Sequence, residues 1–153
     1  QIVKEVILPA LNRGAVVLCD RFTDSTVAYQ GFGRGLDIET IKLLNSFASL
    51  GVVPDRTLLI FADRQEKGSR VSRREELDRL ELAGDSFHGG VSEGFKYVKD
   101  CDPDRIVVID SLGKHSDTAR KIFKALDDLF PWLNDGSVDL SQTLVDYDKA
   151  HAH

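Results

Sequence analysis

Apolar positions along this chain of 153 residues follow two rhythms. Ile2, Val3, Val6, Ile7, Ala10 and Leu11 recur at helical spacing, and Gly14 follows where such a helix would end. Pro9 bends or shortens that helix, because it offers no amide hydrogen. The next run, AVVLC at 15–19, is wholly apolar and reads as a strand covered on both faces. From Asp37, a cap residue, Ile38, Ile41, Leu44 and Ala48 return to helical spacing, with Asn45 as a polar interruption of the stripe.

TLLIFA at 57–62, entered through the turn Pro54-Asp55, predicts a second buried strand, and RIVVID at 105–110 a third. Asp63 with Glu66 starts a capping-box-like helix into the charged and exposed segment 64–81, which Ala83-Gly84-Asp85 interrupts. A helix over 86–99 is predicted despite Gly89, Gly90 and Gly94, which lower its propensity. A last helix from Ser116 turns Ala119, Ile122, Phe123, Leu126 and Phe130 inward, and Pro131 stops it. The tail 132–153 has little periodicity. Apolar strands alternating with helices predict an α/β fold, a parallel sheet with helices on its faces.

Composition narrows the classes. A net charge of −5 argues against a general nucleic-acid binder, and no apolar run approaches the length of a membrane span. Cys19 and Cys101 show neither metal-ligand nor disulfide spacing, which suits a reducing cytosol. His88 and the pair Gly89-Gly90 read as structural, and His115, His151 and His153 have no metal-ligand spacing. Gln1 falls in mid-helical pattern and the chain has no methionine, the look of a piece whose upstream sequence is missing.

Ligands of parallel sheets bind beyond the carboxyl ends of the strands. Asp20-Arg21, Asp63-Arg64 and Asp110-Ser111 stand at those ends. Arg21 could grip a phosphate through paired, charge-assisted hydrogen bonds, with Asp20 orienting it or holding metal-bound water; alternatively the two close the turn as a local salt bridge. Ser25 and Tyr29, at i and i+4, share a helical face, and with Thr26 and Gln30 they could read a base edge and a sugar. The plainer reading is a helix cap followed by a partly buried tyrosine. Arg70, Arg73, Arg74 and Arg79 lie among acids in RVSRREELDRLE, either a solvated helix laced with ion pairs or a lid that closes over transferring phosphates.

Together these pieces resemble the thymidylate kinase family, P-loop enzymes that phosphorylate dTMP. The run DRF-x-x-S-T-x-A-Y-Q-G, then GRGLD, the PD-x-T approach to the next strand and ELDRLE follow the family's order over roughly residues 1 to 130. The resemblance implies a domain over 1–130 with a lid at about 64–85, and an extension of unknown role over 131–153. It implies ATP and dTMP as substrates, Mg²⁺ with the ATP, a cytoplasmic homodimer, and no nucleic-acid or membrane partner. By the same resemblance Arg21 clamps the dTMP phosphate, and Asp20 lies near the phosphates and magnesium, at most through water. Ser25 and Thr26 approach the thymine edge, Tyr29 flanks the deoxyribose 2′ position, and Gln30 lies beside it. Arg74 is the implied catalytic arginine of the lid, with Arg70 and Arg79 supporting it, and Ser111 opens the loop flanking adenine.

Two departures stand out. FHGGVSEGF replaces a more usual run of the FHERVREGY kind, which bears on the lid's hinge. No G-x-x-x-x-G-K-[ST] occurs in these residues, so about a third of the expected enzyme, including its first strands, lies outside them, and the 153 residues alone are expected to be inactive. The rival readings are a related deoxynucleoside or nucleotide kinase, and a P-loop-less binding or interaction module.

Overall fold

The apolar face of residues 2–12 does form a helix, in two geometries. A π-helical stretch, Val3–Ile7, continues directly as α1, Leu8–Asn12. The wide turn ends at Ile7, two residues before Pro9, which stands in the first turn of α1, where a missing donor is tolerated. Val3 and Ile7 are buried, and Gly14 turns the chain off the helix at φ +74°. This computed structural model describes residues 1–61, 85–133 and 135–136. They belong to two compact units, residues 1–55 with 77–103 and residues 56–76 with 104–153.

Within the first unit, α2 (Thr23–Thr26) widens into a second π-helical stretch, Val27–Gly33. Helix α3 (Ile38–Ala48) starts where predicted, and the Asp37 carboxylate accepts the Thr40 amide at 2.7 Å. That bond, which favours the charged carboxylate, holds Asp37 below its ordinary pKa. Ile41 is buried, whereas Leu44 and Ala48 of the predicted stripe are exposed. Helix α4 (Asp85–Cys101) is longer than the sequence pattern suggested, its three glycines notwithstanding. Val27, Ala28, Val91 and Val98 form the core between α4 and the 27–33 stretch.

The second unit holds β1 (Thr57–Phe61) and β2 (Ile106–Asp110), paired in parallel from Thr57 opposite Ile106 to Phe61 opposite Asp110. Helix α5 (His115–Ala125) packs on β2. Leu59, Ile106 and Ile109 are buried, while Ile60, Phe61 and Val108 are exposed, so each face of the pair carries both buried and exposed positions among the described residues. Arg56 ties the start of β1 to the Asp104 carbonyl at 2.7 Å and to Asp128, and Arg105 donates to the Thr57 hydroxyl at 2.8 Å.

Three sequence expectations are corrected. Residues 15–19 do not form a strand: a strand exists only through its ladder bonds, and among the described residues none pairs with this stretch. Leu18 is consequently 92% exposed and Val16 60%. Helix α5 ends at Ala125, and Leu126 to Phe130 form turns in which the Leu129 and Phe130 amides both donate to the Leu126 carbonyl. Pro131 therefore opens a short 3-10 turn, Pro131–Leu133, rather than stopping a helix. The predicted lid, about 64–85, lies outside the described residues up to its last position, and so does nearly all of the extension 131–153.

Candidate functional site

The chain leaves the 15–19 stretch through a turn that places Arg21 in an uncommon conformation. Its φ is +62°, the left-handed region in which a side chain crowds its own backbone. The Cys19 thiol donates to the Arg21 carbonyl at 3.3 Å. Arg21 does not pair with Asp20, so a salt bridge is not what closes this turn. Its guanidinium carbon instead lies 4.9 Å from the centre of the Tyr29 ring, a cation–π contact, and among the described residues the guanidinium makes no ion pair. Strain of this kind persists where the surroundings hold it, and it gathers at ligand-binding positions.

Tyr29 is itself fixed from the other side. The rings of Phe87 and Phe95, both on α4, meet it edge-on at 6.1 and 6.0 Å, with interplanar angles of 65° and 83°. Ser25 and Thr26 stand half-buried on α2, one turn before Tyr29, and Gln30 follows it, its carbonyl accepting the Leu36 amide at 3.1 Å. Ser25 is not the helix cap; that position belongs to Phe22, whose carbonyl accepts the Ser25 amide at 3.1 Å. Asn45 on α3 donates its side-chain amide to the Thr23 carbonyl at 3.1 Å and so ties α3 to the first residue of α2. The polar break in the α3 stripe is this strut.

Helix α4 sits close because its glycines permit it. A Cβ at Gly94 would lie 2.6 Å from the Ala28 Cα, and one at Gly90 would lie 2.6 Å from the Phe32 carbonyl oxygen. Gly33 meets Phe87 and Val91 in the same manner. By contrast, a Cβ at Gly89 would meet nothing within 4 Å. Further along, Phe32 and Tyr97 pack at 5.1 Å, and Lys42 donates to the Tyr97 hydroxyl and to Glu39, each at 2.9 Å. The Tyr97 bond, with that to Glu39, raises the Lys42 pKa above its ordinary value.

The structure thus brings Arg21 and Tyr29 together, with Ser25, Thr26 and Gln30 on the same helical stretch and Asp20 exposed beside them. Ser111 lies in the other unit, where its amide and hydroxyl both donate to the Phe61 carbonyl at 2.9 Å. Its neighbour Asp110 accepts the Leu112 amide at 2.9 Å, and that bond, with Lys121 nearby, lowers its pKa. Arg70, Arg74 and Arg79 fall outside the described residues. Sequence reasoning missed Phe87, Phe95 and Asn45, and it took Gly90 and Gly94 for weaknesses. Their spacing of four on one helical face was the available signal.

No group of three or more metal-ligating side chains occurs among the described residues, and no described helix is long and apolar enough to cross a membrane. Parallel strands with flanking helices are those of an α/β protein of the P-loop nucleoside monophosphate kinase kind. Residues 1–122 match the family described as thymidylate kinase. The chain belongs to that family. It is 46% identical to a thymidylate kinase of Dehalococcoides mccartyi over 112 residues, 72% of this chain and 52% of that protein. A thymidylate kinase of Pseudomonas fluorescens is 46% identical over 127 residues, 83% and 59% of the two chains. One from Synechococcus is 42% identical over 129 residues, 84% and 61%. The chain spans about half the length of the curated relatives it matches.

Proposed function

We propose that the protein carrying this chain transfers a phosphoryl group from ATP to dTMP, giving dTDP and ADP. The observation that carries the reading is Arg21, held in left-handed backbone against the Tyr29 ring at the family's DRF motif. Its guanidinium suits bidentate binding of a phosphate monoester, and fixing that group beside the donor phosphate supplies most of what phosphoryl transfer requires. Ser25 and Thr26 would meet the thymine edge, Tyr29 the sugar and Gln30 its surroundings. Mg²⁺ would arrive with ATP; a single exposed carboxylate at Asp20 suits an ion held chiefly by substrate phosphates and water. Arg74, flanked by Arg70 and Arg79, would offset charge on the transferred group, and the Ser111 loop would flank adenine. By the same family reading the protein is a cytoplasmic homodimer, with residues 1–130 forming the kinase domain and 131–153 an extension.

The test is dTMP-dependent release of ADP by the full-length protein, compared with other nucleoside monophosphates as acceptors. Turnover with dTMP first among them is expected. No dTMP-dependent turnover contradicts the reading, and a stronger response to another monophosphate favours the related-kinase alternative. Residues 1–153 alone, which contain no G-x-x-x-x-G-K-[ST], should not turn over, since that loop cradles the phosphates of ATP.

A further inference from the structure

The Tyr29 ring is held by side chains that come from two places. Arg21 covers it from the turn before α2, while Phe87 and Phe95 bear on it from α4. Edge-to-face geometry fixes a ring's tilt as well as its position. The two phenylalanines are about two helical turns apart, and Gly90 and Gly94 lie between them at the closest approach to Phe32 and Ala28. At both glycines the nearest neighbour of an added Cβ is backbone, which cannot swing aside. Any larger residue there moves α4 away from the 27–33 stretch and takes Phe87 and Phe95 with it.

We infer that Phe87 and Phe95, seated by Gly90 and Gly94, are positioning residues that hold the Tyr29 ring and so set how strongly a 2′-deoxynucleotide is preferred over a ribonucleotide. The inference rests on the proposed reading in which Tyr29 flanks the sugar. Rejecting one added hydroxyl by shape alone yields about a hundredfold discrimination, and only if the wall is stiff. A ring free to tip by an ångström would admit the hydroxyl. Arg21 would act on the phosphate, which both kinds of nucleotide share, so the ratio of their efficiencies isolates the part played by the ring.

The experiment measures kcat/KM for dTMP and for its ribonucleotide counterpart in the full-length protein, wild type beside Phe87→Leu, Phe95→Leu and Phe95→Tyr. Phe95→Leu and Phe87→Leu should lower the deoxy-to-ribo ratio roughly fivefold to tenfold, within the range one hydroxyl can give. Phe95→Tyr, which keeps the ring, should hold the wild-type ratio. The ratio cancels the fraction of folded enzyme, so partial misfolding does not imitate the effect. Equal losses on both nucleotides would reduce the two phenylalanines to structural residues and overturn the inference. A wild type with no sugar preference would overturn the role of Tyr29 in the functional reading; the positioning claim is then decided by the Tyr29 ring resonances, which must move in Phe95→Leu.

Discussion

Two places where the described residues gather polar side chains use them in opposite ways. At the end of β2, the Asp110 carboxylate accepts the Leu112 amide and lies near Lys121, and the Ser111 hydroxyl goes to the Phe61 carbonyl. These groups complete their own backbone. Around Tyr29 the backbone is completed by other means: Asn45 reaches the Thr23 carbonyl, and glycines bring α4 against Ala28 and Phe32. The Arg21 guanidinium faces an aromatic ring and, among the described residues, is joined to no carboxylate. Polar residues at a strand end therefore do not mark a site by themselves. What marks one is a charged side chain whose position has been fixed without an ion pair.

The comparison breaks most visibly at Arg21. Arg21→Ala in the full-length protein should lower kcat/KM for dTMP by at least about a hundredfold, as loss of one aimed donor at a reacting centre does. Steady-state kinetics decides it, and an efficiency near wild type would remove Arg21 from the site.

The glycines of α4 sharpen the comparison, because the same substitution should have opposite signs at neighbouring positions. An exposed helical glycine replaced by alanine gains about 0.5–1 kcal/mol. Gly89→Ala, where the Cβ meets open space, should therefore raise the unfolding free energy by about that much. Gly94→Ala must displace the Ala28 backbone, and overpacking costs about 1–3 kcal/mol, more than the propensity gain. Denaturant unfolding of both variants measures the difference. Equal stabilisation would mean that α4 is not held at close approach.

The Ser111→Ala variant tests the other side. Losing one hydrogen bond to a backbone carbonyl should cost about 1 kcal/mol of stability, with less than about a twofold change in dTMP turnover. A large loss of activity would mean that the Ser111 hydroxyl itself, and not only the backbone of its loop, serves the nucleotide, and would spoil the contrast.

The smallest expected effect is a pH dependence at Asp37. Its carboxylate accepts the Thr40 amide, so its folded pKa lies below its unfolded one. The stabilisation is therefore present above the ordinary Asp value near 4 and lost as pH falls through the folded pKa. Asp37→Ala should lower the Tm at neutral pH, and the gap to wild type should shrink in acid. A gap independent of pH would mean that the cap acts through something other than its charge.

Much of this was legible beforehand, and the reasons differ by element. β1, β2 and α3 follow from short β-branched or apolar runs and from a capping aspartate, signals contained within a few residues. Residues 15–19 carry the same apolar signal as β1, yet pairing depends on a partner elsewhere, which no local pattern reveals. Arg21, Ser25, Thr26, Tyr29 and Gln30 were singled out as candidates because they sit in one stretch of sequence. The supporting shell was not, because Phe87, Phe95 and Asn45 reach the site from distant segments and look like ordinary core or surface residues. Gly90 and Gly94 were misread for a physical reason: helix propensity counts what a glycine costs its own helix, not what it permits between two.

The central claim, that Arg21 above Tyr29 forms the binding site for a nucleoside monophosphate, is tested most directly by binding. Titrating the full-length protein with dTMP and with thymidine, while following the Arg21 side-chain N–H and Tyr29 ring resonances, separates the phosphate from the nucleoside. The account predicts that dTMP moves both sets of resonances, whereas thymidine moves those of Tyr29 alone and binds more weakly. Saturation with dTMP that leaves the Arg21 resonance unmoved would contradict it.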